Sequence, residues 1–250
     1  ANPTSQCRTM PAPPDPAHHG TPFAFVQAVL RAYAARSCAP DKALAAAQIA
    51  PDRRDHWPSQ VSPLQFERLC AAAMRELDDE APGWFSRPLP WGSYGMLARA
   101  SMGAPTLAVA LKRWCRHHGL LTQDVGLALH SDASGARVEI TERADLGEQR
   151  EFALLSLLRN LHGLSCWWVD SQIALVGAHF PGEAPPHAAV YGRLFPGPVH
   201  FQAPRAALVF DAHYLKLPLR KDTAAIDQML RRALPILVWP YRRDRLLSRQ

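Results

Sequence analysis

Long apolar runs are missing from this chain of 250 residues. A helix that crosses a bilayer needs roughly 20 consecutive apolar residues, and no stretch supplies them, so the sequence predicts no helical membrane span. The opening segment, ANPTSQCRTMPAPPDPAHHG, has no apolar core of the kind that directs secretion. Cysteine is sparse. Cys7, Cys38, Cys70, Cys115 and Cys166 are odd in number, far apart and never arranged as Cys-x-x-Cys. That argues against a disulfide framework and predicts reduced thiols in a cytoplasmic protein. The common catalytic fingerprints are also missing: there is no Gly-x-Ser-x-Gly elbow, no P-loop, no Gly-x-Gly-x-x-Gly after a strand and no His-Glu-x-x-His. No catalytic residue, cofactor or metal site is predicted. His18 and His19, in a polar tail, read as solvated.

What is present is enough for a core, since 48% of the residues are hydrophobic. The net charge of +6 is unevenly placed. From Arg220 to Gln250 eight basic residues face three acidic ones, which leaves the body nearly neutral. A neutral body is not an obvious nucleic-acid binder.

Residues 1–20 are rich in proline, alanine and polar residues and read as a disordered tail. A helical region follows over 21–88. Thr21-Pro22 has the form of a helix start; Phe23, Val26, Val29, Leu30 and Tyr33 recur as its stripe. A second helix is expected over Lys42–Ile49. Ser62-Pro63-Leu64-Gln65 is a capping box that opens a third, with Leu64, Phe66, Leu69, Ala73 and Leu77 inward. Asp78-Asp79-Glu80 reads as a solvated helix end.

Residues 89–219 read as an α+β unit. Thr106 is placed to cap a helix whose stripe is Leu107, Leu111, Trp114, His118 and Leu121. Val125–Thr141 alternates as a β-hairpin around Ser131–Gly135. A broad apolar helix spans Asp145–Gly163. Ser165-Cys166-Trp167-Trp168 then leads into a strand near Ile173–His179. A short helix at Ala188–Phe195 precedes a second expected hairpin, Val199–Gln202 with Ala207–Asp211. The sum is a mixed, largely antiparallel sheet of about five strands, in two hairpins, packed with helices. Asp222–Leu234 reads as amphipathic, and 220–250 as a basic linker.

Aromatic residues carry the strongest ligand signal. Trp91, Tyr94, Trp114, His118, Trp167 and Trp168 are the effector-pocket candidates, because large rings with a polar tip line many apolar pockets. The plainer reading is core filling or a partner interface. Cys115 with His117 or His118 is the nearest approach to a reactive pair, but its apolar neighbours argue for packing.

Two stretches carry a family resemblance. GSYGMLARASMGAPTLAVALKRWCRHHGLL has the short helix, turn and longer helix of the N-terminal effector domain of AraC-type transcriptional regulators, in its arabinose-binding-like form. VGAHFPGEAPPHAAVYGRLFPGPVHFQAPRAALVFDAHYLKLPL is similar to a later block of the same family through His179, Tyr191, Phe195, Pro198-Val199, Phe201, Leu208, Phe210, Leu215, Pro218 and Leu219. The resemblance covers about Phe23–Leu219. It implies a sensor domain (21–219) that binds an unknown small-molecule effector and forms a homodimer. DNA would be met only through a helix-turn-helix module, which Arg242–Gln250 is too short to hold. The expected ligand position is between the helix Thr106–His118 and the sheet. The rivals are a module that only dimerises, and an enzyme built on Cys and His.

Overall fold

The computed structural model of the chain describes residues 20–50, 59–133 and 135–234. The expectations for the first tail, His18-His19 and Arg242–Gln250 lie outside these residues. In chain order the elements are β1 (Thr21–Pro22), α1 (Phe23–Ala35), α2 (Asp41–Ala46), β2 (Gln60–Val61), α3 (Pro63–Glu76), α4 (Ser93–Ser101) and α5 (Leu107–Leu121). Then come β3 (Val125–Asp132), β4 (Gly135–Glu142), α6 (Arg150–Val169), β5 (Leu175–His179), α7 (Ala189–Leu194), β6 (Val199–His200), β7 (Ala206–Phe210) and α8 (Thr223–Leu230). The fold is α+β: a five-stranded mixed sheet and a small two-stranded one, both among the described residues, packed with helices.

Several boundaries follow their local chemistry. Ser62 caps α3 through a reciprocal box, its hydroxyl accepting from Gln65 N while the Gln65 side chain accepts from Ser62 N. Leu64, however, is exposed on the first turn. Thr21-Pro22 is not the start of α1; it pairs antiparallel with Gln60-Val61, and Phe23 N donates to Ser59 O. Thr106 precedes α5 but its hydroxyl makes no cap bond. The N–H of Leu107 goes instead to the carbonyl of Leu217, 2.8 Å away, so the closing segment satisfies the helix start.

The helix expected to end near Gly163 runs on to Val169, with a 3₁₀ turn at Gly147–Gln149 before it. Gly163 lies mid-helix and nothing after it breaks the pattern. The stop is Asp170, in the left-handed region at φ 54°. Ser171 N donates to Cys166 O and Asp170 N to Trp167 O, the two bonds of a Schellman end with aspartate where glycine is usual. Trp167 and Trp168 are therefore helical, not extended. Sixteen of the twenty α6 residues are buried, as expected of a helix apolar on more than one side. The rings of Phe25, Phe66 and Trp84 close on its Phe152.

The first hairpin forms as expected, with Leu129 opposite Val138, and its strands run into the expected turn, pairing Asp132 with Gly135. The second does not form. The strand order is β3-β4-β7-β5-β6. β7 enters the middle, antiparallel to β4 and β5, while β6 pairs parallel with β5. Ala206, Ala207 and Leu208 are all buried, as an unbroken apolar run in a central strand should be. The turn before β7 is held elsewhere, Gln202 N on Gly182 O and Ala203 N on Phe180 O, so the chain crosses β5 rather than folding back on itself. Of the family-pattern rings that fit core anchors, Tyr191, Phe195 and Phe210 are buried, whereas Phe201 is only half-buried, against Phe180 and Tyr191.

Candidate ligand cavity

Asp78, Asp79 and Glu80 build the loop that carries the site's aromatic residues. They are not a solvated helix end. Asp79 is 1% exposed. Its carboxylate accepts from the backbone of Ala81, Gly83 and Leu89 at 3.0–3.1 Å and from Arg36 at 2.6 Å. Asp78 accepts from Trp91 N at 2.8 Å. Glu80 accepts from Gly92 N at 2.9 Å and from Tyr94 N, at the start of α4, where the helix dipole favours a carboxylate. Gly92, at φ 101°, takes a backbone conformation that side chains resist. The loop so fixed presents Trp84, Phe85 and Trp91, and α4 presents Tyr94.

Those side chains line a cavity of about 400 Å³, within the usual size of small-molecule sites. α3 forms one wall with Glu67, Met74 and Arg75; α5 supplies Trp114, His118 and Leu121; α6 supplies Leu157 and Asn160. The roof is the end of α8 and the residues after it, Leu230 to Leu234. No strand residue lines it. This cavity thus lies on the helical side of α5, where Trp114, His118 and Leu121 turn towards the helices, while β3 packs elsewhere on α5; a more open hollow lined by Thr106, Ala108, Ser131 and Asp132 lies between the start of α5 and the sheet, where the sequence places the ligand.

Of the six predicted residues, Trp91, Tyr94, Trp114 and His118 meet in this cavity. Trp91 stands half-exposed, with the Arg75 guanidinium 5.0 Å from its ring. Tyr94 packs edge-on against Trp114, their centroids 5.5 Å apart. Trp168 is fully buried behind Trp114 and Trp167 sits under Lys221, so neither lines the cavity. Trp84, Phe85 and Asn160 were missed. Asn160 had no sequence signal beyond being a polar residue on an apolar helix.

Four residues that line this cavity each carry a buried polar atom with no hydrogen-bond partner among the described residues: Trp84 Nε1, the Tyr94 hydroxyl, His118 Nδ1 and Asn160 Oδ1. Buried polar groups are nearly always paired, and four such atoms on residues around one cavity set it apart. All four are neutral. Burial pushes the His118 imidazole down to about 4. Burial, then the charge of Glu80, pushes the Tyr94 phenol up.

Cys115 and Cys166 are not poised as nucleophiles. Burial pushes Cys115 up to about 12. Cys166 Sγ lies 3.6 Å from His162 Nε2, but both are buried, and burial pushes the thiol up to about 11 and the imidazole down to about 4. That keeps both neutral, the opposite of a thiolate–imidazolium pair. Among the described residues no group of three or more His, Cys, Asp or Glu is placed to hold a metal, and no helix is long and apolar enough to cross a membrane.

Comparison with known proteins gives a family. Residues 38–219 match the arabinose-binding domain of AraC transcription regulators, N-terminal. No curated protein matches. The crystal structure of transcriptional regulator CdpR from Pseudomonas aeruginosa is similar at a TM-score of 0.45 and 15% identity, over 82% of this chain and 60% of that one. The chain thus spans less than two thirds of that regulator.

Proposed function

This chain belongs to the arabinose-binding domain family of AraC transcription regulators, and on that premise we propose that it is the effector-sensing part of such a regulator. The observation that carries this is the cavity, with its four unpaired buried polar atoms and its roof made by α8. α8 is the last described helix and leads to the basic C-terminal segment. A small molecule in the cavity would touch both the body and the roof. It would thereby favour the arrangement with α8 seated and pass that preference to a DNA-binding module joined after it. Only a ligand with different affinity for the seated and released states shifts the balance.

In this reading residues 21–219 are the sensor body and 220–250 the connector, in a cytoplasmic homodimer that contacts DNA through the attached module. The reading needs no catalytic step. The test is the unfolding free energy of the chain with a metabolite collection, alongside native mass spectrometry for retained ligand and dimer. A ligand at 100 times its Kd should add about 2.7 kcal/mol by mass action. A dimer that no compound stabilises would instead identify a module that only dimerises.

A further inference from the structure

The chemistry of the cavity narrows the class of ligand; this rests on the cavity being the sensor site. Its walls carry five aromatic rings, Trp84, Phe85, Trp91, Tyr94 and Trp114, from one loop and two helices. Rings of this kind take a flat ring edge-on or offset-stacked. The unpaired atoms ask for a neutral partner with both senses of hydrogen bond: Trp84 Nε1 only donates, Asn160 Oδ1 only accepts, and the Tyr94 hydroxyl does either. A charged group among them would lose its hydration without a counter-charge.

The charges at the cavity are not balanced. Glu67 is held by Arg232 through two contacts of 2.7 and 3.0 Å. Glu80 is occupied by the N–H groups of Gly92 and Tyr94, and Arg99 pairs with Asp227. Arg75 and Arg231 also line the cavity, and neither has a carboxylate partner among the described residues. Arg75 stands on α3, in the body; Arg231 follows α8, in the roof. An anion between them would tie roof to body. Guanidinium groups suit a carboxylate, which each can grip with two N–H groups.

We propose that the cavity binds an aromatic monocarboxylate bearing a neutral hydroxyl or amide at its far end, with the neutral end at Tyr94 and Asn160 and the carboxylate between Arg75 and Arg231. The probe is 3-(4-hydroxyphenyl)propionate, compared with its methyl ester and with 3-phenylpropionate, by calorimetry and tryptophan fluorescence on the full 250-residue chain. The acid should bind at least tenfold more tightly than the ester, and added salt should weaken only the acid. R75Q and R231Q should each weaken the acid several-fold and leave the ester unchanged. Both arginines are exposed, so folding is not at stake. N160L should erase the advantage of the acid over 3-phenylpropionate.

An ester that binds as well as the acid, or an acid indifferent to both arginine substitutions, would overturn the proposal. So would no binding by any of the three. The sensor reading is judged separately: stabilisation by neutral or cationic metabolites would preserve it while this ligand class falls, and a silent collection would remove both.

Discussion

Asp79 holds three backbone N–H groups and one guanidinium in a place where water cannot substitute for it. Removing one side of such a buried, charge-assisted set leaves the other side unpaired, at a cost of about 3–5 kcal/mol. Asp79→Ala should lose stability on that scale in a urea titration, and Asp79→Asn, which keeps an acceptor, should lose less. Tyr94 and Asn160 should behave in the opposite way. An unpaired buried polar atom costs about 1–3 kcal/mol, so Tyr94→Phe and Asn160→Leu should leave the ligand-free chain as stable as before or more so. A measured loss would mean these atoms serve the fold.

His118 and His162 set a pH dependence. Burial holds both neutral to about 4 in the folded state, against an ordinary 6.5. Above pH 6.5 they are neutral folded or unfolded and contribute nothing to the dependence. As pH falls from 6.5 towards 4, only the unfolded chain takes up their protons, and stability is lost. At pH 5 this amounts to about 2 kcal/mol per histidine. Burial moves Glu80 upward, which works in the other sense. The comparison is therefore between the chain and its His118→Gln, His162→Gln variant. The variant should keep most of the free energy that the parent loses between pH 7.5 and pH 5.

At the scale of elements, the end of α8 and the residues after it form the roof of the cavity. Asp222 caps α8 through Ala225 N, Ile226 buries its one fully inward side chain, and Leu230 approaches Gly95 of α4. Two ion pairs tie α8 to the body, one from its middle and one from just past its last turn. Arg99–Asp227 is about half-exposed on both sides, so its value is small, roughly 0.2–1 kcal/mol. Arg232–Glu67 is two-pronged and Glu67 is buried. Asp227→Asn should hardly loosen the roof, whereas Glu67→Gln should. Hydrogen exchange should report this as faster exchange across Thr223–Leu230 in Glu67→Gln, with α6 unchanged. Uniform acceleration through α6 would mean that the roof is not a separate unit.

For the whole molecule, roof and body share one cavity and every strand lies before Leu219, so a chain ended after Leu219 should keep its sheet and lose its ligand site. Circular dichroism near that of the full chain, with at least tenfold weaker probe binding, is the expected result. Unfolding of the shortened chain would make α8 part of the body.

The helices and the first hairpin were legible because their signals are local: a capping box at Ser62, one apolar stripe per helix, alternation from Val125 to Thr141. The resemblance through Tyr191, Phe195 and Phe210 was legible because buried aromatic spacing survives in sequence. Charge at Asp78-Asp79-Glu80 misled, because a carboxylate and its N–H partners up to fourteen residues away cannot be paired by reading along the chain. Trp167 and Trp168 misled because the helix end depends on Asp170 taking a left-handed conformation that its residue type does not announce.

By itself the sequence determined most of the helices, the first hairpin, the family and four of the residues around the cavity, since short-range backbone preference and the period of apolar residues act within a few turns. Only the tertiary structure decided where β7 and β6 pair, on which side of α5 the aromatic cavity lies, and which arginines there have no carboxylate partner. Those depend on groups distant in the chain meeting in space, where burial and charge are settled by the company each side chain keeps.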